Sequence, residues 1–156
     1  MTVDRTRISE KFLSAESYLE VLEAIKAKST ADSFQSDFSK QLKTEKAFEV
    51  VLQIMINVCT HIVSIFNETL DSYSSCFLIL ARKNVIPLQL GEQLALAAKM
   101  RNIIVHQYVG INYQLLLEAS IQLISDFSLS LRHQYWNGLK RSFKIFLASK
   151  QKTPLL

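Results

Sequence analysis

Only three glycines and two prolines punctuate the 156 residues of this chain. A β-sandwich or barrel needs turn residues roughly every 8–12 positions, and this sequence cannot supply them. Few breakers together with abundant Leu, Ile, Ala, Lys, Glu and Gln leave an all-α fold with short connections. The length suits one domain with a core large enough to stand without disulfides or metals. With 49% hydrophobic and 21% charged residues, intrinsic disorder is excluded. The expectation is a single helical bundle of about five helices over residues 1–156.

The two cysteines, Cys59 and Cys76, lie in apolar surroundings without CxxC spacing, so neither a disulfide framework nor a zinc site is expected. The opening MTVDRTRISEKF contains no apolar segment and does not read as a signal peptide. A reducing, cytoplasmic setting follows. The most hydrophobic stretch, Ala47 to Phe66, fails as a membrane span. Glu49, Gln53, Asn57 and His61 recur every four residues, continued by Ser64 and Glu68. That spacing draws a polar stripe down one side of a helix that is otherwise apolar, a pattern for the middle of a bundle or a subunit interface.

Charge is unevenly placed. Residues 1–98 carry ten Lys/Arg and twelve Asp/Glu, a net −2, whereas residues 99–156 carry eight and two, a net +6. No acid follows Asp126. The basic C-terminal region, 129–156, is either a solvated tail or a surface for a polyanion such as RNA.

Phe12, Ala15, Leu19, Leu22 and then Ile25 or Ala24 recur at threes and fours and predict an amphipathic helix from Ile8 to about Lys28. Ser29 to Gln41 reads as a polar connection with at most a helical turn. Thr44 is the expected N-cap of a long helix ending near Leu70, with Glu45 in its first turn. A break over Asp71 to Ser75 precedes a short helix, Cys76 to Lys83. A second break ends at Pro87, because the residue before proline avoids helical geometry. The next helix starts near Leu90. Gly110 to Asn112 is a turn with Asn112 as N-cap, followed by helices over Tyr113–Gln134 and Trp136–Lys150.

One segment concentrates chemistry: Met100-Arg101-Asn102-Ile103-Ile104-Val105-His106-Gln107-Tyr108. An always-charged donor, an imidazole and a phenol fall within eight positions beside a turn. At about 100° per residue, Arg101 and Tyr108 lie about 20° apart, whereas His106 lies about 140° from Arg101. Arg101 and His106 therefore converge only if the helix distorts or ends between them, or if a second subunit completes the site. On spacing alone, the same three residues also suit a structural hydrogen-bond set at a helix end.

Arg101, four residues, His106, one residue and Tyr108 match the RX4HXY signature, and the chain resembles the HepT-like HEPN family. The segment RNIIVHQY is close to that family's usual wording, including Asn102 directly after the arginine. The Glu10-Lys11 start, the Thr44-Glu45-Lys46-Ala47 run and the Ile86-Pro87 turn extend the resemblance over roughly Ile8 to Phe146. One departure is Asn57, at a place where the family often carries an acid.

The resemblance implies a HEPN-like, homodimeric bundle acting as a metal-independent ribonuclease toxin of a type II toxin–antitoxin pair. Both motifs would face one cleft at the dimer interface. Arg101 and His106 would be the catalytic pair, with Asn102 and Tyr108 in support and no metal or cofactor. A minimal nucleotidyltransferase antitoxin would silence the toxin by AMPylation of Tyr108. The chemistry is coherent. In metal-free RNA cleavage the ribose 2′-OH attacks the phosphorus, a base takes its proton and an acid protonates the leaving 5′-oxygen. Histidine serves either role near neutrality, and arginine stabilises the extra phosphoryl charge.

Two rival readings are a non-catalytic RNA- or nucleotide-binding module (or a nucleotidyltransferase's substrate-binding subunit) and a purely structural interaction bundle. An intact RX4HXY separates them from the enzyme, since a binding subunit has no need of both Arg101 and His106.

Overall fold

A computed structural model of the chain describes residues 5–106 and 110–130. Side-chain surroundings are described from Glu10 onward, and neither Ile124 nor the side chains of 126–130 are included. Tyr108, the helix expected over 136–150 and the basic region from 131 onward lie outside the described residues. Within them the fold is all-α, with six helices and no strand: α1 Arg5–Lys28, α2 Ala31–Gln35, α3 Phe38–Ile65, α4 Tyr73–Arg82, α5 Leu88–His106 and α6 Tyr113–Ser130.

The 28-residue α3 is about 42 Å long and touches each of the other five helices. Phe48, Val51, Leu52, Ile56 and Val63 are wholly buried along it. Ala15, Leu19 and Leu22 of α1 are buried against this core as their spacing requires, and Ile25 is buried as well. By length and composition α3 is apolar enough to cross a bilayer, yet 56% of its most apolar window is buried inside the bundle.

The polar stretch 29–41 is a corner built from caps, not an open connection. Thr30 and Ser33 satisfy each other's backbone N–H groups at the start of α2. The Gln41 amide donates to the carbonyl oxygens of Phe34 and Gln35 at its end. Asp37 caps α3, accepting from the Lys40 N–H at 3.0 Å. Thr44 is therefore not an N-cap. It is fully buried inside α3, and its hydroxyl donates to the Lys40 carbonyl at 2.8 Å.

The far end of α3 also differs from expectation. The helix stops at Ile65, not Leu70, because Asn67 takes a left-handed conformation (φ 54°) one residue past the C-cap, Phe66. Asparagine tolerates that geometry better than other side chains except glycine. Asn84 (φ 56°) ends α4 the same way, with Asn84 N–H donating to Ala81 and Val85 N–H to Leu80, the paired bonds of a Schellman turn. The serines expected to break the chain before Cys76 instead start α4, through a reciprocal Ser72–Ser75 capping box. At Pro87 the break falls as expected, with α5 beginning directly after it. Asn112 caps α6 by accepting from Leu115 N–H at 3.0 Å. Gly110 (φ 86°) supplies a conformation that side chains resist.

Where α4 meets α5 the backbones approach closely. A Cβ added at Gly91 would sit 2.7 Å from Ala81 Cβ and 3.0 Å from the Phe77 carbonyl oxygen. Alanine gains about 1 kcal/mol over glycine in a helix, but overpacking costs about 1–3 kcal/mol, and neither neighbour is a flexible side-chain end. Gly91→Ala is expected to lower stability by up to about 2 kcal/mol net, read as a lower midpoint in urea denaturation with an unchanged slope.

Candidate functional site

α5 starts directly after Pro87 and helical geometry persists to His106, so Arg101 and His106 leave one continuous helix about 140° apart. Arg101 points inward to α3, with its side chain 13% exposed. Its Nη1 donates to Asn102 Oδ1 at 3.2 Å, and its Nη2 stands 3.9 Å from Glu49 Oε1. Nε is buried without a hydrogen-bond partner among the described residues. Most of the five donors of this guanidinium are thus unspent. His106 is exposed. Leu96 and Ile103, 65% and 51% exposed, crop out of the same helix, and Ile103 lies within about 60° of His106. The structure brings Arg101 and Asn102 together and leaves His106 apart from both. The third motif residue, Tyr108, is outside the described residues.

The polar stripe of α3 is the surface Arg101 meets. Glu49 and Gln53 are half-buried, Asn57 is exposed, and Gln53 donates to Asn57 Oδ1 at 2.9 Å. The seam reaches the motif through Glu49, about two turns before Asn57. Glu68 does not continue the stripe. It lies past the end of α3 and pairs with Lys83 at 2.9 Å and Arg82 at 3.2 Å. The Lys83 ammonium, through its hydrogen bond and charge, holds the Glu68 carboxyl below its ordinary range.

A groove of about 500 Å³ opens between the first half of α3 and the α5–α6 corner. From α3 come Phe38, Leu42, Glu45, Lys46 and Glu49; Ile104 and Val105 come from α5; Ile111 and Tyr113 close the far side. The α3 residues recur at helical spacing, so one face supplies them all. Lys46 pairs with Glu49 at 3.4 Å. The Tyr113 hydroxyl hydrogen-bonds to the Glu45 carboxylate, which pushes the phenol up to about 12. In the sequence Glu45 reads as a first-turn acid and Tyr113 as the start of α6. Their meeting depends on α6 packing against α3, which no local spacing encodes. Among the described residues no three His, Cys, Asp or Glu side chains stand together as metal ligands.

The chain matches the family described as Ribonuclease HepT-like over residues 15–136, and it belongs to that family. A tRNA nuclease HepT of Aphanizomenon flos-aquae (strain 2012/KM1/D3) is 30% identical over 83 residues, 52% of this chain and 56% of that protein. The match thus spans little more than half of the relative's length. Among solved structures, a tri-AMPylated Shewanella oneidensis HEPN toxin in complex with an MNT antitoxin superposes with a TM-score of 0.71 at 21% identity, covering 86% of this chain and 96% of the other. The cytosolic protein of unknown function YutE from Bacillus subtilis superposes with a TM-score of 0.71 at 16% identity, covering 99% and 96%. These two likenesses establish a shared fold.

The raised phenol has a definite pH signature. Its folded value lies above the ordinary 10, so the Tyr113–Glu45 contact stabilises fully below pH 10 and is lost as pH rises through about 12. Difference absorbance at 295 nm between the native chain and Tyr113→Phe is expected to show one phenol titrating near 12. A midpoint at 10 overturns the contact.

Proposed function

We propose that this chain is a metal-independent endoribonuclease toxin, working as a homodimer in the cytoplasm and silenced by a nucleotidyltransferase antitoxin. The family it belongs to supports the nuclease class. The relative named a tRNA nuclease makes transfer RNA the first substrate to test. The observation that carries the dimer is the continuity of α5 through the motif. Arg101 faces inward and His106 outward, so one chain does not aim both at a single phosphate. A second copy docked along α5 sets the His106 of one chain toward the Arg101 of the other, so that two motifs share one cleft, and it covers the exposed Leu96 and Ile103 at the same time.

In that cleft the roles follow from the side chains. One His106 takes the 2′-OH proton as the oxygen attacks phosphorus, and the other protonates the departing 5′-oxygen. Arg101, held by Asn102 and Glu49 with donors to spare, receives the phosphoryl oxygens whose charge grows in the transition state. The excess of cations in residues 99–156 favours the RNA backbone. Tyr108 is the proposed acceptor of AMP from the antitoxin. A phosphate fixed beside Arg101 would compete with substrate for the same guanidinium.

Arg101→Ala and His106→Ala are each expected to lower cleavage by about 10²–10⁴-fold while keeping the helical circular-dichroism spectrum, and wild-type cleavage is expected to persist in EDTA. Activity that stops with chelator and returns with magnesium rejects the metal-free chemistry. Leu96→Glu, at an exposed position outside the motif, is expected to give a folded, inactive monomer by sedimentation. An active monomer overturns the shared cleft.

Modification is checked separately. Co-expressed with its nucleotidyltransferase and supplied with ATP and Mg²⁺, the chain is expected to gain AMP on the peptide containing Tyr108 by mass spectrometry. Tyr108→Phe is expected to escape that neutralisation. An adduct confined to another peptide sinks the assignment.

A further inference from the structure

The groove beside Arg101 is used by none of the steps above. Its composition sets what fits. Phe38 and Leu42 are 65% and 47% exposed, so an aromatic and an aliphatic side chain face solvent at its mouth. Ile104 supplies part of its apolar floor. Two carboxylates, Glu45 and Glu49, stand against one ammonium, Lys46, which disfavours a phosphate inside the groove. Glu45 Oε1 is buried without a hydrogen-bond partner among the described residues, and such an oxygen is costly until a donor reaches it. A flat, neutral, donor-bearing ligand therefore suits the groove, and its volume falls in the range of small-molecule sites.

The groove also adjoins the motif. Glu49 lies in its wall and 3.9 Å from Arg101, and Ile104 and Val105 lie between Arg101 and His106 in sequence. On the nuclease reading, a nucleobase next to a phosphate on Arg101 is within reach of the groove.

We propose that the groove formed by Phe38, Leu42, Glu45 and Tyr113 is a nucleobase pocket of the RNA site, selective for guanine. The selection lies in the carboxylate, which offers only acceptors. Guanine alone presents two adjacent donors, N1–H and the N2 amino group, on its Watson–Crick edge. Adenine and cytosine set one amino group beside an acceptor nitrogen, and uracil flanks one imino group with two carbonyls. Each of these brings an acceptor against a carboxylate oxygen. Phe38 supplies a face for stacking, as single-stranded RNA recognition commonly uses. Tyr113 interacts with the same carboxylate.

This inference rests on the nuclease reading for its ligand, RNA, but its test does not need cleavage. Full-length His106→Ala is titrated by fluorescence anisotropy with labelled octamers of uridine carrying one central guanosine, inosine, adenosine or cytidine. Guanosine is expected to bind roughly tenfold or more tightly than the others, the order a bidentate base contact gives. Inosine, which lacks only the N2 amino group, is expected to fall with the others. Glu45→Gln added to this chain replaces one acceptor with a donor and is expected to erase the guanine preference. Leu42→Trp fills the groove from an exposed position and is expected to do the same even if Glu45→Gln disturbs folding. Equal affinity for all four RNAs, no measurable binding, or a guanine preference that survives both variants overturns the pocket. The wild-type chain on the same RNAs separates the two ideas. Cleavage without base selectivity leaves the nuclease and removes the pocket. Guanine-selective binding with no cleavage of any RNA removes the nuclease and leaves the pocket.

Discussion

The bundle depends on covering α3. A helix of 28 residues whose apolar positions run almost the whole way round has no stable existence in water, because each exposed side chain forfeits the hydrophobic free energy of burial. Every other described helix packs on it. The order of the remaining elements follows. α1 lies along it, α2 turns the chain beneath its start, α4 and α5 pack as a close pair near its far half, and α6 returns to its first half. Gly91 is the concession that lets α4 and α5 approach closely enough to share that task.

The polar stripe is what remains when α3 has been covered. It gives the interior one edge where charge is tolerated, and the motif helix is set so that Arg101 meets that edge at Glu49. A guanidinium buried without a carboxylate nearby is destabilising. One gripped at hydrogen-bond distance on every nitrogen has nothing left for a substrate. At 3.9 Å from Glu49, Arg101 is accommodated without being consumed. The geometry trades ion-pair strength for availability, as the role proposed for Arg101 requires.

Much of this was legible in the sequence. The scarcity of glycine and proline indicated helices throughout, the spacing in α1 named its buried face, and Pro87, Gly110 and Asn112 marked their boundaries. The motif residues stood out by type and spacing, and their 140° separation is a property of any unbroken helix. What escaped was of two kinds. Cap chemistry was misassigned where several polar residues compete. Thr44, Asp37 and Thr30 are all capable N-caps, and only packing decides that Thr44 is interior. Asn67 likewise ends α3 through a backbone conformation that asparagine permits but does not demand. The groove escaped for a different reason. Glu45 and Tyr113 are 68 positions apart, and nothing local to either foretells that α6 will lay one against the other.

The core holds one further pair. Cys59 on α3 and Cys76 on α4 are both buried and free, with Cys76 Sγ 3.0 Å from the Tyr73 carbonyl oxygen. Burial first, and then the Cys76 thiol beside it, pushes the Cys59 thiol far above its ordinary range. Burial keeps reagents from both sulfurs, and a Cys59 thiol that resists ionising is a poor nucleophile as well, so both are chemically silent while α3 and α4 stay packed. They become reactive only when that seam parts. The rate at which an alkylating reagent claims them is thus a clock for local opening of the bundle, carried in the native sequence without any added label.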